Sequence, residues 1–285
     1  MHFRTAGDAI LSAMLRTALL LLVFPFTSVV NAELPLFDAH LHYNENHAQE
    51  FTPQAIIRIL QRNHISRALV TSRPPQLVQT LYERAPDRII PFLGVYEQFA
   101  DKQNWHRDTS VPARVASQLE SGNWRGIGEL HIFAENRHSP VLRQLVQLAM
   151  QQGLPLLMHT DPAVIDTIYE IGTGVSVIWA HAGAYPYPDL LADYLNRYPN
   201  LYIDLSVRNE RIAPDGKLDE AWYELLIRFP DRFLVGVDTF SSEQWHKYGD
   251  TTRTIRSWLE QLPPDVAKQL AYHNARSILL PSKAN

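Results

Sequence analysis

His40 and His42 stand two residues apart in the segment FDAHLH (37–42), and a β-strand would put both on one face. Two adjacent imidazoles are nitrogen donors for a cation such as Zn²⁺. Four more residues of ligand type end apolar runs further on: Glu129 in WRGIGELHIF, His159 in LPLLMHTD, His181 in VSVIWAHAG and Asp238 in FLVGVDTF. Neutral nitrogens combined with hard carboxylate oxygens suit one or two divalent cations, if the fold brings the six together. Taken singly, each has a plainer explanation, because a lone strand-end histidine is more often a hydrogen-bonded structural residue. That plainer reading is kept for His47, His64, His106, His138 and His246. Asp38, expected on the same face as His40 and His42, reads as an acceptor for a ligand imidazole or as a structural residue.

Positioning such a set requires strands that end near one another. Eight β-rich runs can be read, at 36–43, 67–72, 89–96, 124–133, 154–161, 175–183, 201–208 and 233–240, each followed by a helix candidate. Thr52-Pro53 and Ser139-Pro140 are cap-and-start signals for helices, and Gly153 stops the second of them. In that helix Val141, Leu142, Leu145, Leu148 and Ala149 recur at helical spacing and should face the core. Eight β-then-α units in residues 33–285 predict an α/β fold, a single-domain (β/α)₈ TIM barrel, whose active site lies at the carboxyl ends of the strands. All six candidate ligands sit late in their runs. Strand alternation pairs Ile127 with Glu129, Leu157 with His159 and Gly236 with Asp238. A doubly wound open sheet would need a glycine-rich phosphate loop after the first strand, where Tyr43-Asn44-Glu45-Asn46 stands instead.

The first 32 residues belong outside the fold. Arg16 precedes the apolar run from Thr17 to Val30, and Val30-Asn31-Ala32 supplies small residues before Glu33, the pattern of a secretory signal peptide with Met14 as a possible true start. The run is too short, and too interrupted by Pro25, for the roughly 20 residues of a spanning helix. The expected location is therefore exported, periplasmic, with no stable membrane span after cleavage. The chain contains no cysteine, which excludes thiol chemistry and disulfide stabilisation. Losing Arg4, Arg16 and Asp8 takes the formal charge from -4 to -5, with no basic block to suit a nucleic-acid partner.

The segments DAHLH, GIGEL, LMHT, WAHAG, GVDT and the closing HNARSILL resemble, in order and over the whole mature chain, the amidohydrolase superfamily, and in particular its amidohydrolase-related group of metal-dependent barrels. The resemblance implies that His40, His42, His159 and Asp238 bind metal and that His181 binds a second metal or contacts substrate. Glu129 stands where phosphotriesterase-like members carry a bridging carboxylated lysine. It is similar instead to the ligand glutamate in the GEIG segment of TatD-like deoxyribonucleases, although the segment here reads GIGE.

The activity implied is that of a metal-dependent hydrolase. A cation such as Zn²⁺ lowers the pKa of water from 15.7 to about 7 and polarises the bond attacked. Asp238 would then move the proton and His181 would stabilise the developing oxyanion. The expected substrate is a small molecule with an ester, lactone, amide or phosphoester bond. Arg73 and Arg208, at strand ends, could clamp a carboxylate or phosphate or could serve their own loops, while His131, Tyr185, Tyr96 and Asp161 could line the pocket. Two other activities fit the same ligand set, nonhydrolytic decarboxylation and TatD-like phosphodiester cleavage, and a barrel that binds a ligand without turnover is the nonenzymatic alternative.

Overall fold

Each of the eight expected strands forms, and each is parallel to its neighbours. They are β1 (Leu36–His42), β2 (Ile65–Thr71), β3 (Ile89–Pro91), β4 (Ile127–His131), β5 (Leu156–His159), β6 (Val177–Trp179), β7 (Leu201–Asp204) and β8 (Phe233–Leu234). The structure is a computed structural model that describes residues 33–280, so the segment read as a signal peptide, residues 1–32, lies outside the described residues. No helix among the described residues is long and apolar enough to cross a membrane.

Regular ladders run through β1-β2-β3 and through β4-β5-β6-β7-β8. Single main-chain bonds join the two arcs. Pro91, which has no N–H to give, ends β3, and the next contact is a bridge between Leu93 and Ile127, with the Leu93 N–H on the Gly126 carbonyl at 2.9 Å. At the other seam the Ala39 N–H donates to Val235 and the Asp238 N–H to His40, each at 2.8 Å. These bonds close the (β/α)₈ barrel that the eight units predict.

Two apolar clusters mark the two faces of the strands. Phe37, Ala39, Leu69, Phe92, Leu157 and Leu234 pack together with Ala275 and Leu279 of the last helix, Asn274–Leu279, filling the barrel interior. Leu36, Leu41, Val70, Ile127 and Met158 instead belong to the larger cluster shared with the surrounding helices. The helix Pro140–Gln152 shows how the sequence builds that outer layer. Ser139 Oγ accepts from the Val141 and Leu142 N–H groups, Gly153 ends the helix at φ 63°, and Val141, Leu142, Leu145 and Ala149 are buried, with Leu148 partly so. Each fully buried Val or Leu among them contributes about 1.5–3 kcal/mol by leaving water.

Regular alternation fails in two strands. β1 shifts register between Asp38 and Leu41, and β4 between Gly128 and Leu130. Ala39 packs inside the barrel, so the shift lets His40 and His42 also turn inward while Leu41 and Asp38 face out. In β4, Ile127 and Leu130 both face the helices, and Glu129 is freed to point inward. The expected sharing of a face by Asp38 with His40, and by Ile127 with Glu129, therefore does not hold. A bulge re-aims a side chain by one residue, and alternation cannot foresee it.

Candidate metal centre

Strand ends bring all six candidate ligands to one point. His40 and His42 come from β1, Glu129 from β4 and His159 from β5, while His181 and Asp238 follow β6 and β8 directly. The last two adopt left-handed backbone, both at φ 59°, a conformation that costs a non-glycine residue about 1–3 kcal/mol and clusters at functional sites. The main chain of His42 is clamped as well: its N–H donates to Thr239 Oγ1 at 2.9 Å, and its carbonyl accepts from Thr239 and from the Trp245 indole.

Two imidazoles have their tautomers set from behind. His40 Nδ1 donates to Asp204 Oδ2 at 2.8 Å, and His181 Nδ1 donates to Ser206 Oγ at 2.8 Å, with Ser206 in turn donating to Asp204 at 2.5 Å. Each ring therefore turns a bare Nε2 toward the centre. Neither Asp204 nor Ser206 was singled out by sequence reasoning. The one signal was an acid and a hydroxyl at alternate positions of the otherwise apolar LYIDLS. The role considered for Asp38 belongs to Asp204. Asp38 instead accepts from the Val237 N–H, the His40 N–H and Tyr248 Oη, pinning the β8–β1 seam, and burial pushes its carboxyl up to about 7.

The donor atoms crowd together. His40 Nε2 lies 3.2 Å from His42 Nε2, and His42 Nε2 lies 3.2 Å from Asp238 Oδ1 and 3.5 Å from Glu129 Oε2. Donors about 2.1 Å from a tetrahedral cation lie roughly 3.4 Å apart, so this spacing fits a divalent metal. Asp238 Oδ1 is buried with no well-aligned hydrogen-bond donor, and the imidazole nitrogens of His40 and His42, 3.2 Å apart, repel when both are bare, which a cation between them would relieve. On its other side Glu129 Oε1 meets His159 Nδ1 at 2.9 Å and His181 Nε2 at 3.3 Å, a second set of donors that would suit an ion.

Charge follows the same pattern. Burial alone would lower the His40 pKa, but Asp238, Asp204 and Glu129 together push it up to about 10. Burial keeps His42 below its ordinary value despite Asp238 and Glu129. Burial would raise the Glu129 carboxyl, yet the imidazoles of His131 and His40 and the hydrogen bond from His159 hold it well below the usual carboxylate range. Asp238 is likewise held low against burial by His40, His42 and His181.

A cavity of about 390 Å³ opens above these groups, a size that suits a small molecule. His42, Glu129, His159, His181 and Asp238 form its floor, Arg73 and Lys102 one wall, and Phe99, Val207 and Phe240 its rim. His131 also lines it, stacked on His159 with ring centroids 4.3 Å apart and with Nε2 accepting from Lys102 Nζ at 2.9 Å; burial lowers its pKa to about 3. Arg208 and Tyr185 are not among the lining residues. The Arg208 guanidinium donates to the His181 and Gly183 carbonyls at 2.7 and 3.0 Å, and Tyr185 is exposed on the loop after β6. Lys102, which sequence reasoning did not single out, reaches the cavity from the loop after β3, where no strand pattern marked it.

The profile of one protein family, described as amidohydrolase, matches residues 37–279. No curated protein sequence matches the chain. Among solved structures, a probable 2-pyrone-4,6-dicarboxylic acid hydrolase from Acinetobacter baumannii is similar, with TM-score 0.60, 14% identity, and 86% of this chain and 98% of that one covered. A TatD homolog from Escherichia coli K12 gives TM-score 0.63 at 12% identity, over 86% of this chain and 97% of that one. An amidohydrolase from Burkholderia multivorans gives TM-score 0.55 at 14% identity, over 87% and 100%.

Proposed function

Because the chain belongs to the amidohydrolase family, as a metal-dependent hydrolase, we propose that it is an exported zinc enzyme that cleaves an ester, lactone, amide or phosphoester bond of a small molecule. The observation that carries this reading is the unpartnered, buried Asp238 Oδ1, 3.2 Å from His42 Nε2 and open to the cavity.

In this reading His40, His42 and Asp238 would hold one cation, and Glu129, His159 and His181 would hold a second. A cation bound there supplies a Lewis acid and makes water acidic enough to yield hydroxide near neutral pH. Asp238, held ionised by the surrounding imidazoles, orients the water, takes its proton and passes it to the leaving group. The Asp204–Ser206 pair keeps His40 and His181 in one tautomer, so neither ring has to reorganise. The lining residues His131 and Arg73 contact the substrate. Export is supported by the basic flank, short apolar run and small residues that end at Ala32.

Metal content of residues 33–285, measured beside product assays on lactone, ester, oligonucleotide and carboxylic-acid panels, tests the proposal. The expected result is at least one zinc per chain and hydrolysis that falls about 10²- to 10⁴-fold in Asp238→Asn. Released CO₂ would replace the reading by decarboxylation, cleaved oligonucleotide by phosphodiester chemistry, and a native protein that binds no cation would overturn it.

A further inference from the structure

Two cations on the cavity wall have no anionic partner. Arg73, just beyond β2, and Lys102, in the 3₁₀ turn Phe99–Gln103, are both half-buried. Among the described residues neither lies within 4.0 Å of a carboxylate, although the surface of this protein pairs Arg197 with Asp166 and Lys247 with Glu243. Their main polar and aromatic contacts are neutral. Lys102 Nζ meets His131 Nε2 at 2.9 Å, and Phe99 takes a cation on its ring from both residues, with the Arg73 guanidinium carbon at 5.4 Å and Lys102 Nζ at 6.0 Å from its centroid. Glu129 attracts both cations through space, and Asp238 attracts Lys102, but both carboxylates face the imidazoles of the centre, where a bound metal would offset their charge. A half-buried charge left unpaired is costly, and two that converge on one cavity form a ready anion site.

The rim of the cavity is apolar. Phe99 is 69% exposed, Phe240 55% and Val207 43%, on the loops after β3, β8 and β7. Large apolar side chains left in water around a charged cavity mark a surface kept for a ligand.

We propose that Arg73 and Lys102 form an anion subsite, separate from the metal centre, so that the substrate is a small amphipathic anion: a carboxylate or phosphoryl group held between the two cations, an apolar body against Phe99, Val207 and Phe240, and the bond to be broken over Asp238. This assignment rests on the hydrolase reading for the reacting bond only, since the anion subsite exists whether or not turnover occurs.

The probes are succinamate, its neutral diamide succinamide and 3-phosphonopropionamide, with Kd measured by calorimetry on metal-loaded and chelator-stripped protein. Succinamate and succinamide differ in a single carboxylate, so their ratio isolates the one charge the subsite holds. Wild type should bind succinamate about tenfold or more tighter than succinamide, as a charge-assisted contact predicts. Arg73→Met, Lys102→Met and the milder Lys102→Gln should each reduce that ratio about tenfold in the stripped protein, with bound metal unchanged in the loaded form. Comparison with 3-phosphonopropionamide shows whether carboxylate or phosphoryl is the better occupant. A ratio near one in wild type, or a preference that survives all three substitutions, overturns the subsite. A stripped protein that keeps the preference while no hydrolysis is found sinks only the enzymatic reading.

Discussion

Asp204 accepts a hydrogen bond from His40 Nδ1 at 2.8 Å, with both side chains shut off from solvent at 0% exposure. One carboxylate, 164 residues away in sequence, thereby decides which nitrogen of His40 faces the centre. It also receives the His181 N–H at 3.2 Å and the Ser206 hydroxyl, so it orders both sides of the site. Replacing the charge but not the shape, Asp204→Asn, should weaken metal binding about 10- to 100-fold while leaving the fold intact. Competition against a chromogenic chelator reads the affinity, and a variant with unchanged affinity would remove Asp204 from the centre.

Glu129 meets His159 on one oxygen and His42 and His131 on the other. A residue so placed joins two halves of a site. Glu129→Gln keeps the volume and removes the charge that offsets a second cation, so metal per chain should fall by one ion. Elemental analysis after gel filtration measures it. Equal stoichiometry in the two proteins would make Glu129 a group for substrate or proton transfer instead.

Gly236 lies two residues beyond β8, and a Cβ there would sit 2.7 Å from Asp204 Oδ1 and 3.0 Å from His40 Cβ. The neighbours are buried and hydrogen-bonded, so they cannot give way cheaply. Gly236→Ala should cost about 1–3 kcal/mol of stability and weaken metal binding with it. Urea melts with and without zinc separate the two effects: the stabilisation that zinc confers should shrink in the variant.

His47, outside the six candidate ligands, supplies a pH dependence of stability. Its imidazole is buried, accepts the Asn44 N–H at 3.1 Å and leaves Nε2 unpaired. Burial pushes its pKa down from 6.5 to about 4 in the fold. Unfolded chains thus take up a proton below pH 6.5 that the folded protein refuses until about pH 4, and stability falls across that window. Between pH 7 and 5 the loss from this group is about 2 kcal/mol. His47→Gln, which keeps an acceptor at the same helix turn, should lose less stability over that interval in urea melts. A wild-type and variant that decline in parallel would assign the acid sensitivity elsewhere.

Much of this architecture could be read from the chain alone. Eight alternations of apolar strand and amphipathic helix can close in few ways, and the helix limits are written locally, as Ser139-Pro140 and Gly153 show. The six ligand candidates were legible because polar residues ending apolar strands are unusual, and because a barrel collects strand ends at one face. Tertiary structure alone decided how they meet. The bulges in β1 and β4 turn His40 and Glu129 inward against simple alternation, since a bulge depends on the neighbouring strand's register rather than on the strand's own residues. The same holds for partners distant in sequence. Asp38 and Asp204 look alike in their segments, and only packing against Tyr248 in one case and His40 in the other makes the first a seam and the second the support of a metal ligand.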